Sequence, residues 1–266
     1  MKRFLAHAVL LFHLFFSFAA HVVFATEFDV TTATFPLFNF LEDETSSSGI
    51  SFNTDGTKMF IIGWSGDDVN EYALSSAYDV NTASYTTNFS ISAQEDTPMD
   101  VTFNDTGSKM YVVGMQNDTV YQYGLTINFD LSTASYDSKS HSVNSETATP
   151  RGVRFNADGT RMLILGEDTP NEVYQYTLST GFDVSTASYD SVSFSVNNES
   201  VNSHAMTFND DGLKMYISDL TTNIIYQYTL TSAFDMSTAS YASKSYDLTS
   251  INGTARGMTF SSDGNT

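Results

Sequence analysis

The chain has 266 residues, of which 41% are hydrophobic and 14% aromatic, and its 31 acidic residues against 11 lysines and arginines give a net charge of −20. This much apolar material excludes a disordered acidic tail, and so acidic a surface repels nucleic acid and anionic lipid, neither of which we expect as a partner. The sequence has no cysteine, so disulfide bonds are excluded and stability must come from the core.

The first 25 residues have the features of a secretory signal peptide. Lys2 and Arg3 give a basic start, an apolar run extends to Phe24, and polar sequence begins at Thr26 after the small residue Ala25. The alternative is an uncleaved anchor, because the run approaches the roughly 20 residues that span a bilayer. We predict cleavage of residues 1–25 and a mature chain, 26–266, that is secreted or extracellular (periplasmic or cell-surface location included) and not stably inserted in a membrane.

The mature chain is built from a repeat of about 52 residues, and a fixed period of this length dictates the architecture. Two landmarks keep the period independently. An aromatic-Asp-aliphatic triplet starts at Phe28, Tyr78, Phe129, Phe182 and Phe234. A Phe-x-x-x-Gly motif starts at Phe52, Phe103, Phe155, Phe208 and Phe260.

Each unit is predicted to contain four strands, as the third unit illustrates. A short strand over 152–155 leads through the Asp158-Gly159 hairpin turn to an apolar strand over 161–165. A β-branched and aromatic strand follows over 173–178, and alternating polar and apolar residues over 189–196 indicate a fourth strand. Four antiparallel strands at this period are typical of a propeller blade. We therefore predict an all-β chain, a β-propeller of four-stranded antiparallel blades.

The repeat is incomplete at both ends of the sequence. Residues 35–41 resemble an isolated fourth strand, and four complete units follow, with first strands near Gly49, Asp100, Gly152 and Ala205. A fifth unit begins near Gly257 and stops within its first hairpin turn. We predict four complete blades with partial first and last blades, and our hypothesis is that the reading frame is truncated at its carboxyl-terminal end.

The first two strands of the units carry a family resemblance. The segment from Phe52 to Gly63 (FNTDGTKMFIIG), together with the Asp-Gly motifs at 158–162 and 211–218, resembles YVTN-type propeller blades and the wider lactonase-like propeller group. The shared motif is a turn between core strands, so the resemblance implies the fold and carries little about activity.

Candidate binding residues lie where the units differ. The landmark aspartates recur in every unit and are expected to make Asx-type bonds that stabilise a turn. The residue four positions before the strand Phe varies, and in a propeller it lies at the mouth of the central channel. The positions hold Ser48, Met99, Arg151, His204 and Arg256. Adding loop residues, we select as candidate binding residues Trp64, Glu146, Arg151, His204 and Arg256. The alternative is a solvated acidic loop face.

Few residues suggest catalysis. Beyond the signal segment only His141 and His204 remain, and no nucleophile elbow or phosphate loop is present. We predict no catalytic residue, no metal site and no cofactor. The sequence favours a non-enzymatic module that recognises a carbohydrate, a cell-surface partner or another protein. One alternative is a propeller hydrolase of lactonase or gluconolactonase type with its site at the channel mouth, and another is a purely structural surface repeat.

Overall fold

The computed structural model describes residues 46–249 and 254–260 and, nearer the amino terminus, 6–14, 16–24, 29, 31 and 33–34. The amino-terminal strands are β1 (Ala6–Leu14), β2 (Phe16–Phe24) and β3 (Ala33–Thr34). The first blade contains β4 (Ser47–Phe52), β5 (Lys58–Gly63), β6 (Asp68–Leu74) and β7 (Ala83–Ser90). The second contains β8 (Pro98–Phe103), β9 (Lys109–Gly114), β10 (Thr119–Leu125) and β11 (Ala134–Ser142). The third contains β12 (Pro150–Phe155), β13 (Arg161–Gly166), β14 (Glu172–Leu178) and β15 (Ala187–Ser195). The fourth contains β16 (Ser203–Phe208), β17 (Lys214–Asp219), β18 (Ile224–Leu230) and β19 (Ala239–Asp247), and β20 (Thr254–Phe260) follows.

The four contiguous blades are antiparallel meanders, which confirms the predicted fold class and the four complete units. In the third blade the second strand is buried along residues 162–165, because it is covered on both faces by neighbouring blades. The outermost strand β15 alternates between half-buried and exposed residues, as an edge strand facing solvent on one side should. The apolar cores lie between adjacent blades, where Phe60 and Val69 of the first pack with Val112 and Tyr123 of the second.

The two repeat landmarks meet in space within each blade. Gly159 of the hairpin turn has a φ of 69°, and the landmark Phe182 has a φ of 62°. A Cβ on Gly159 would lie 2.3 Å from the Phe182 ring, so only glycine admits this contact. The next residue, Asp183, accepts the N–H of Ser185 and caps a short 3₁₀ turn, Val184–Thr186. The predicted Asx role of the landmark aspartate is confirmed here, and Asp79, Asp130 and Asp235 cap equivalent turns.

In the first three blades, a side chain on the third strand reaches forward to the next blade. Gln122 Oε1 accepts the backbone N–H of Val184 at 3.1 Å, and Gln175 Oε1 accepts that of Met236 at 2.9 Å. In the first blade Glu71 takes the same place and accepts the N–H of Leu131 at 2.9 Å. All three acceptors are buried, so each bond satisfies a backbone donor that water cannot reach. We call these contacts the interblade clamps.

The innermost strands close into a ring. β20 lies between β16 and β4, and it pairs with β1, so that a fifth four-stranded sheet runs in the order β20-β1-β2-β3. The predicted first strand of the fifth unit near Gly257 is therefore present as β20. The expected strand over 35–41 and the final hairpin turn lie outside the described residues. Residues 6–14 and 16–24 form the two middle strands of the fifth sheet, and the removal of residues 1–25 as a signal peptide stays a prediction.

The helices within the described ranges are short 3₁₀ turns, and none of them has the length and apolar character needed to cross a bilayer.

Candidate functional site

Five inner strands, β4, β8, β12, β16 and β20, surround a central channel with two mouths. The loop mouth is the end at which these strands begin, and it comprises Ser48, Met99, Arg151, His204 and Arg256 with the neighbouring Trp64 and Glu167. The hairpin mouth is the opposite end, where each inner strand finishes at its Phe and enters the turn to the second strand. The chain reverses direction between the two mouths, so the candidate residues that start the inner strands, Arg151, His204 and Arg256, belong to the loop mouth.

Arg151 anchors one side of the loop mouth. Its Nε and Nη2 atoms both donate to Oε2 of Glu167, and Nη1 donates to Sδ of Met99 at 3.5 Å. The side chains of Arg151 and Glu167 are 14% and 19% exposed. A largely buried pair of this kind fixes the guanidinium in place and leaves only a small part of the Arg151 side chain accessible to solvent.

Arg256 lies on β20 and completes the other side. Its guanidinium carbon is 5.6 Å from the centroid of the Trp64 ring, a cation–π contact. The Arg256 carbonyl oxygen is 3.0 Å from Nδ1 of His204, which is buried. Trp64 itself is 38% exposed, so one side of the indole faces solvent. The structure thus brings Trp64, Arg151, His204 and Arg256 to one mouth.

The electrostatics of Arg256 are unfavourable within the protein. Burial lowers the pKa of its guanidinium, the nearby positive charge of Arg151 lowers it further, and Glu167 acts in the opposite direction. Its Nε atom is buried and has no hydrogen-bond partner among the described residues. Two guanidinium groups therefore share one nearby carboxylate at this mouth, within a chain that is otherwise strongly acidic.

Glu146 does not join this group. Its Oε2 accepts the hydroxyl of Tyr176 at 2.9 Å, and its charge acts on His141. Glu146 precedes the start of the inner strand β12 by four residues, in the turn that leads inward from the outer strand β11. That turn is still remote from the channel axis, which explains why Glu146 packs between blades instead. Ser48 is also withdrawn, since its buried hydroxyl donates to the carbonyl of Pro98 at 2.7 Å.

Several acidic loop residues near the loop mouth have structural roles. Asp219 accepts backbone N–H groups of Val201, Asn202, Thr221 and Thr222 at 2.7–2.9 Å. Burial acts to raise the pKa of Asp219, but these donors outweigh it and the pKa is lowered. Asp219 therefore holds two loops together as a carboxylate, and its charge is largely used within the fold.

An ion pair that the sequence analysis did not select closes the channel. Asp100 Oδ2 accepts from Nη1 of Arg154 at 2.5 Å and from the N–H of Val153 at 3.1 Å. Arg154 also donates from Nη2 to the carbonyl of Met258 at 3.2 Å, across the channel. At the level of Asp100 the other inner strands carry a glycine or an alanine: Gly49, Gly152, Ala205 and Gly257. The pair fills the space that these small residues leave.

Above this pair, at the hairpin mouth, lies a cavity of about 520 Å³. Its lining includes Arg154 and the Phe that ends each inner strand: Phe52, Phe103, Phe155, Phe208 and Phe260. The signal for it in the sequence is the residue before each of these phenylalanines, which is polar in every unit. Within the described ranges, no cluster of three or more His, Asp or Glu side chains is arranged to hold a metal ion.

No family model and no curated protein sequence matches this chain. Solved structures of similar fold share little sequence identity with this chain. A proposed 6-phosphogluconolactonase from Bacteroides uniformis has a TM-score of 0.57 at 10% identity, over 94% of this chain and 82% of that one. A chain of a nidogen/laminin complex has a TM-score of 0.59 at 10% identity, over 96% and 98%. The periplasmic gluconolactonase of Pseudomonas aeruginosa has a TM-score of 0.50 at 11% identity, over 97% and 70%. The resemblance to lactonase-like propellers is thereby confirmed at the level of the fold.

Proposed function

We propose that this chain is an exported, non-enzymatic recognition module that binds a carboxylate-bearing glycan at the loop mouth. The proposal rests on one observation: Arg256, half-buried against Trp64 and beside Arg151, has an unpartnered Nε and too little negative charge around it. The Arg256 side chain as a whole is only partly buried, so a ligand carboxylate could approach its accessible part and offset the repulsion between the two guanidinium groups.

The aromatic residue selects among anionic ligands. The exposed side of Trp64 offers a flat apolar surface of the kind against which the C–H face of a pyranose ring packs. A uronic acid combines such a face with a carboxylate. Small inorganic anions would meet the guanidinium groups but would leave the indole uncovered.

The charge arrangement favours binding over proton transfer. Arg151 is held by Glu167, and the Nδ1 atom of His204 is oriented by a backbone carbonyl. General acid–base catalysis needs a titratable group that is free to exchange a proton with a substrate. The groups at this mouth are instead fixed by neighbours, as suits a preorganised binding surface.

Trp64 is the only tryptophan in the chain, so its fluorescence reports on this mouth. We expect methyl β-glucuronide to change the Trp64 emission in a saturable, salt-sensitive way, and methyl β-glucoside to leave it unchanged. Arg256→Gln should weaken the response at least about tenfold, since a charged hydrogen bond contributes about 1.5–3 kcal/mol. Arg161→Gln, on a half-buried arginine of β13 that does not belong to the loop mouth, is the matched control. Equal responses from both variants, or from both sugars, would refute the proposal.

A lactonase is the second candidate, favoured by the two structural neighbours whose names refer to gluconolactone hydrolysis. It predicts that the full chain opens glucono-δ-lactone or its 6-phosphate faster than buffer does. It further predicts that His204→Gln abolishes this rate while leaving the glucuronide response of Trp64 in place. Export is tested separately, by sequencing the amino terminus of protein recovered outside the cytoplasm.

A further inference from the structure

We infer that the hairpin mouth is a second binding site, for a neutral carbohydrate of one or two pyranose rings. This inference does not depend on the loop mouth, because the two sites lie at opposite ends of a channel that the Asp100–Arg154 pair closes. The cavity of about 520 Å³ is within the range of small-molecule sites.

The floor of the cavity presents a hydroxyl group from four of the five inner strands. The residue before the terminal Phe of each inner strand lines the cavity, and apart from Arg154 these residues are Ser51, Thr102, Thr207 and Thr259. Within the described ranges, none of these four hydroxyls has a hydrogen-bond partner, although all are buried or half-buried. A site lined in this way is completed by a ligand that brings its own donors and acceptors.

Arg154 contributes further donors without contributing net charge. Its Nη1 atom donates to Asp100 and to the carbonyl of Val153, and Nη2 donates once to Met258. A guanidinium has five N–H groups, so Nε and one N–H of Nη2 remain for a ligand. Because Asp100 neutralises the guanidinium, the floor is polar and electrically balanced.

The walls define the rest of the ligand. Rings from successive blades surround the cavity, and each terminal Phe is backed by a second aromatic residue, as Phe103 is by Phe129 at 5.4 Å between centroids. The rim carries Asp105 and Asp210, which disfavour an anion. A purely apolar ligand would bury the floor hydroxyls without hydrogen-bond partners, which is unfavourable. A neutral pyranose, with hydroxyls at its edge and apolar faces, meets all of these conditions.

The test uses the full chain and saturation-transfer NMR with methyl β-glucoside, methyl β-galactoside, cellobiose and maltose. We expect at least one of them to receive saturation and to bind in calorimetry, with Trp64 fluorescence unchanged because Trp64 belongs to the other mouth. The variant Thr102→Val removes a floor hydroxyl while keeping the side-chain shape, and Thr259→Val does so from another blade. Each should weaken binding about 2- to 10-fold, the equivalent of one hydrogen bond.

Thr177→Val is the matched control, since Thr177 is exposed on β14 and does not line the cavity. The three variants should unfold at similar urea concentrations, because valine suits a strand at least as well as threonine. The inference is overturned if none of the four sugars binds with a dissociation constant of about 10 mM or lower, which corresponds to a binding free energy of about −2.7 kcal/mol. It is equally overturned if Thr102→Val and Thr259→Val bind as tightly as Thr177→Val. Neither outcome bears on the glucuronide response at the loop mouth.

Discussion

Replacing Arg154 with methionine tests how the channel is closed. Asp100 is buried, and burial raises the pKa of its carboxyl above the ordinary 3.8, while the charge and hydrogen bond of Arg154 oppose that shift. Arg154→Met removes the charge that compensates this carboxylate and fills much of the space with an apolar chain. Breaking a buried pair in this way is expected to lower the free energy of unfolding by about 3–5 kcal/mol at neutral pH.

The loss should depend on pH in a defined direction. A carboxyl whose folded-state pKa is raised favours folding most when it is protonated, so its contribution is present at low pH and lost as pH rises. Without Arg154 the pKa of Asp100 rises further. The variant should therefore be closer to the wild-type protein at about pH 5 than at about pH 8.

Urea unfolding followed by circular dichroism at both pH values measures the effect. The double variant Asp100→Ala with Arg154→Met should recover most of the loss, because the fourth blade already carries Ala205 at the position of Asp100. Arg161→Met, on a half-buried arginine whose Nη1 donates to the Ala233 carbonyl at 3.4 Å, should lower stability by no more than about 1 kcal/mol, because it removes one long hydrogen bond and leaves no carboxylate unpaired. A loss below about 1 kcal/mol for Arg154→Met, or a loss that is the same at both pH values, would refute this account of the pair.

Three further predictions concern the blades. Gln175→Ala leaves the buried backbone N–H of Met236 in the next blade unpaired and should lower the free energy of unfolding in urea by about 1–3 kcal/mol. Thr177→Ala on the same strand should lower it far less, and equal losses would contradict the interblade clamp. Gly212→Ala should lower the free energy of unfolding by more than about 1 kcal/mol, because Gly212 has a φ of 69° and a Cβ would lie 2.1 Å from the Phe234 ring. An unchanged melting temperature would show that the Phe234 ring moves aside at no cost. Burial lowers the pKa of His141, and the charge of Glu146 opposes this shift, so the folded state binds a proton less readily than the unfolded state and stability should fall as pH drops below about 6.5. His141→Gln should reduce this fall in a plot of melting temperature against pH. An unaltered slope would assign the fall to other groups.

The fold was predictable because its determinants are local. The hairpin glycines, the Asx-capping aspartates and the alternation of the outer strands each act within a few residues. The sequence of one unit therefore predicts a four-stranded blade, and the repetition of that unit predicts a ring of blades. Arg151, His204 and Arg256 lie at the starts of their inner strands, and strand direction alone decides which end of the channel these positions occupy; their role in binding stays a prediction. Trp64 followed from the same reasoning about loops.

The remaining contacts depend on distances between blades. Asp100 and Arg154 are a whole repeat apart, and they meet only because the inner strands converge on an axis lined by glycines. Glu146 was assigned to the mouth by its loop, but its turn lies at the blade interface, where Tyr176 is the nearer partner. The serine and threonines before four of the five terminal phenylalanines resembled ordinary strand residues in the sequence, since only the assembled ring brings them to a common cavity.

The interblade clamps make the repeats exchangeable. In each clamp the acceptor is a side-chain oxygen of Glu71, Gln122 or Gln175, and the donor is always a main-chain N–H at the start of the following 3₁₀ turn. Main-chain donors are the same in every unit, so a unit duplicated or excised as a whole still presents a matching acceptor and donor at the new junction. Variation in the number of units would then change the circumference of the ring while leaving each junction chemically intact. A repeat linked in this way can lengthen or shorten by whole modules during evolution, with closure of the circle as the remaining constraint.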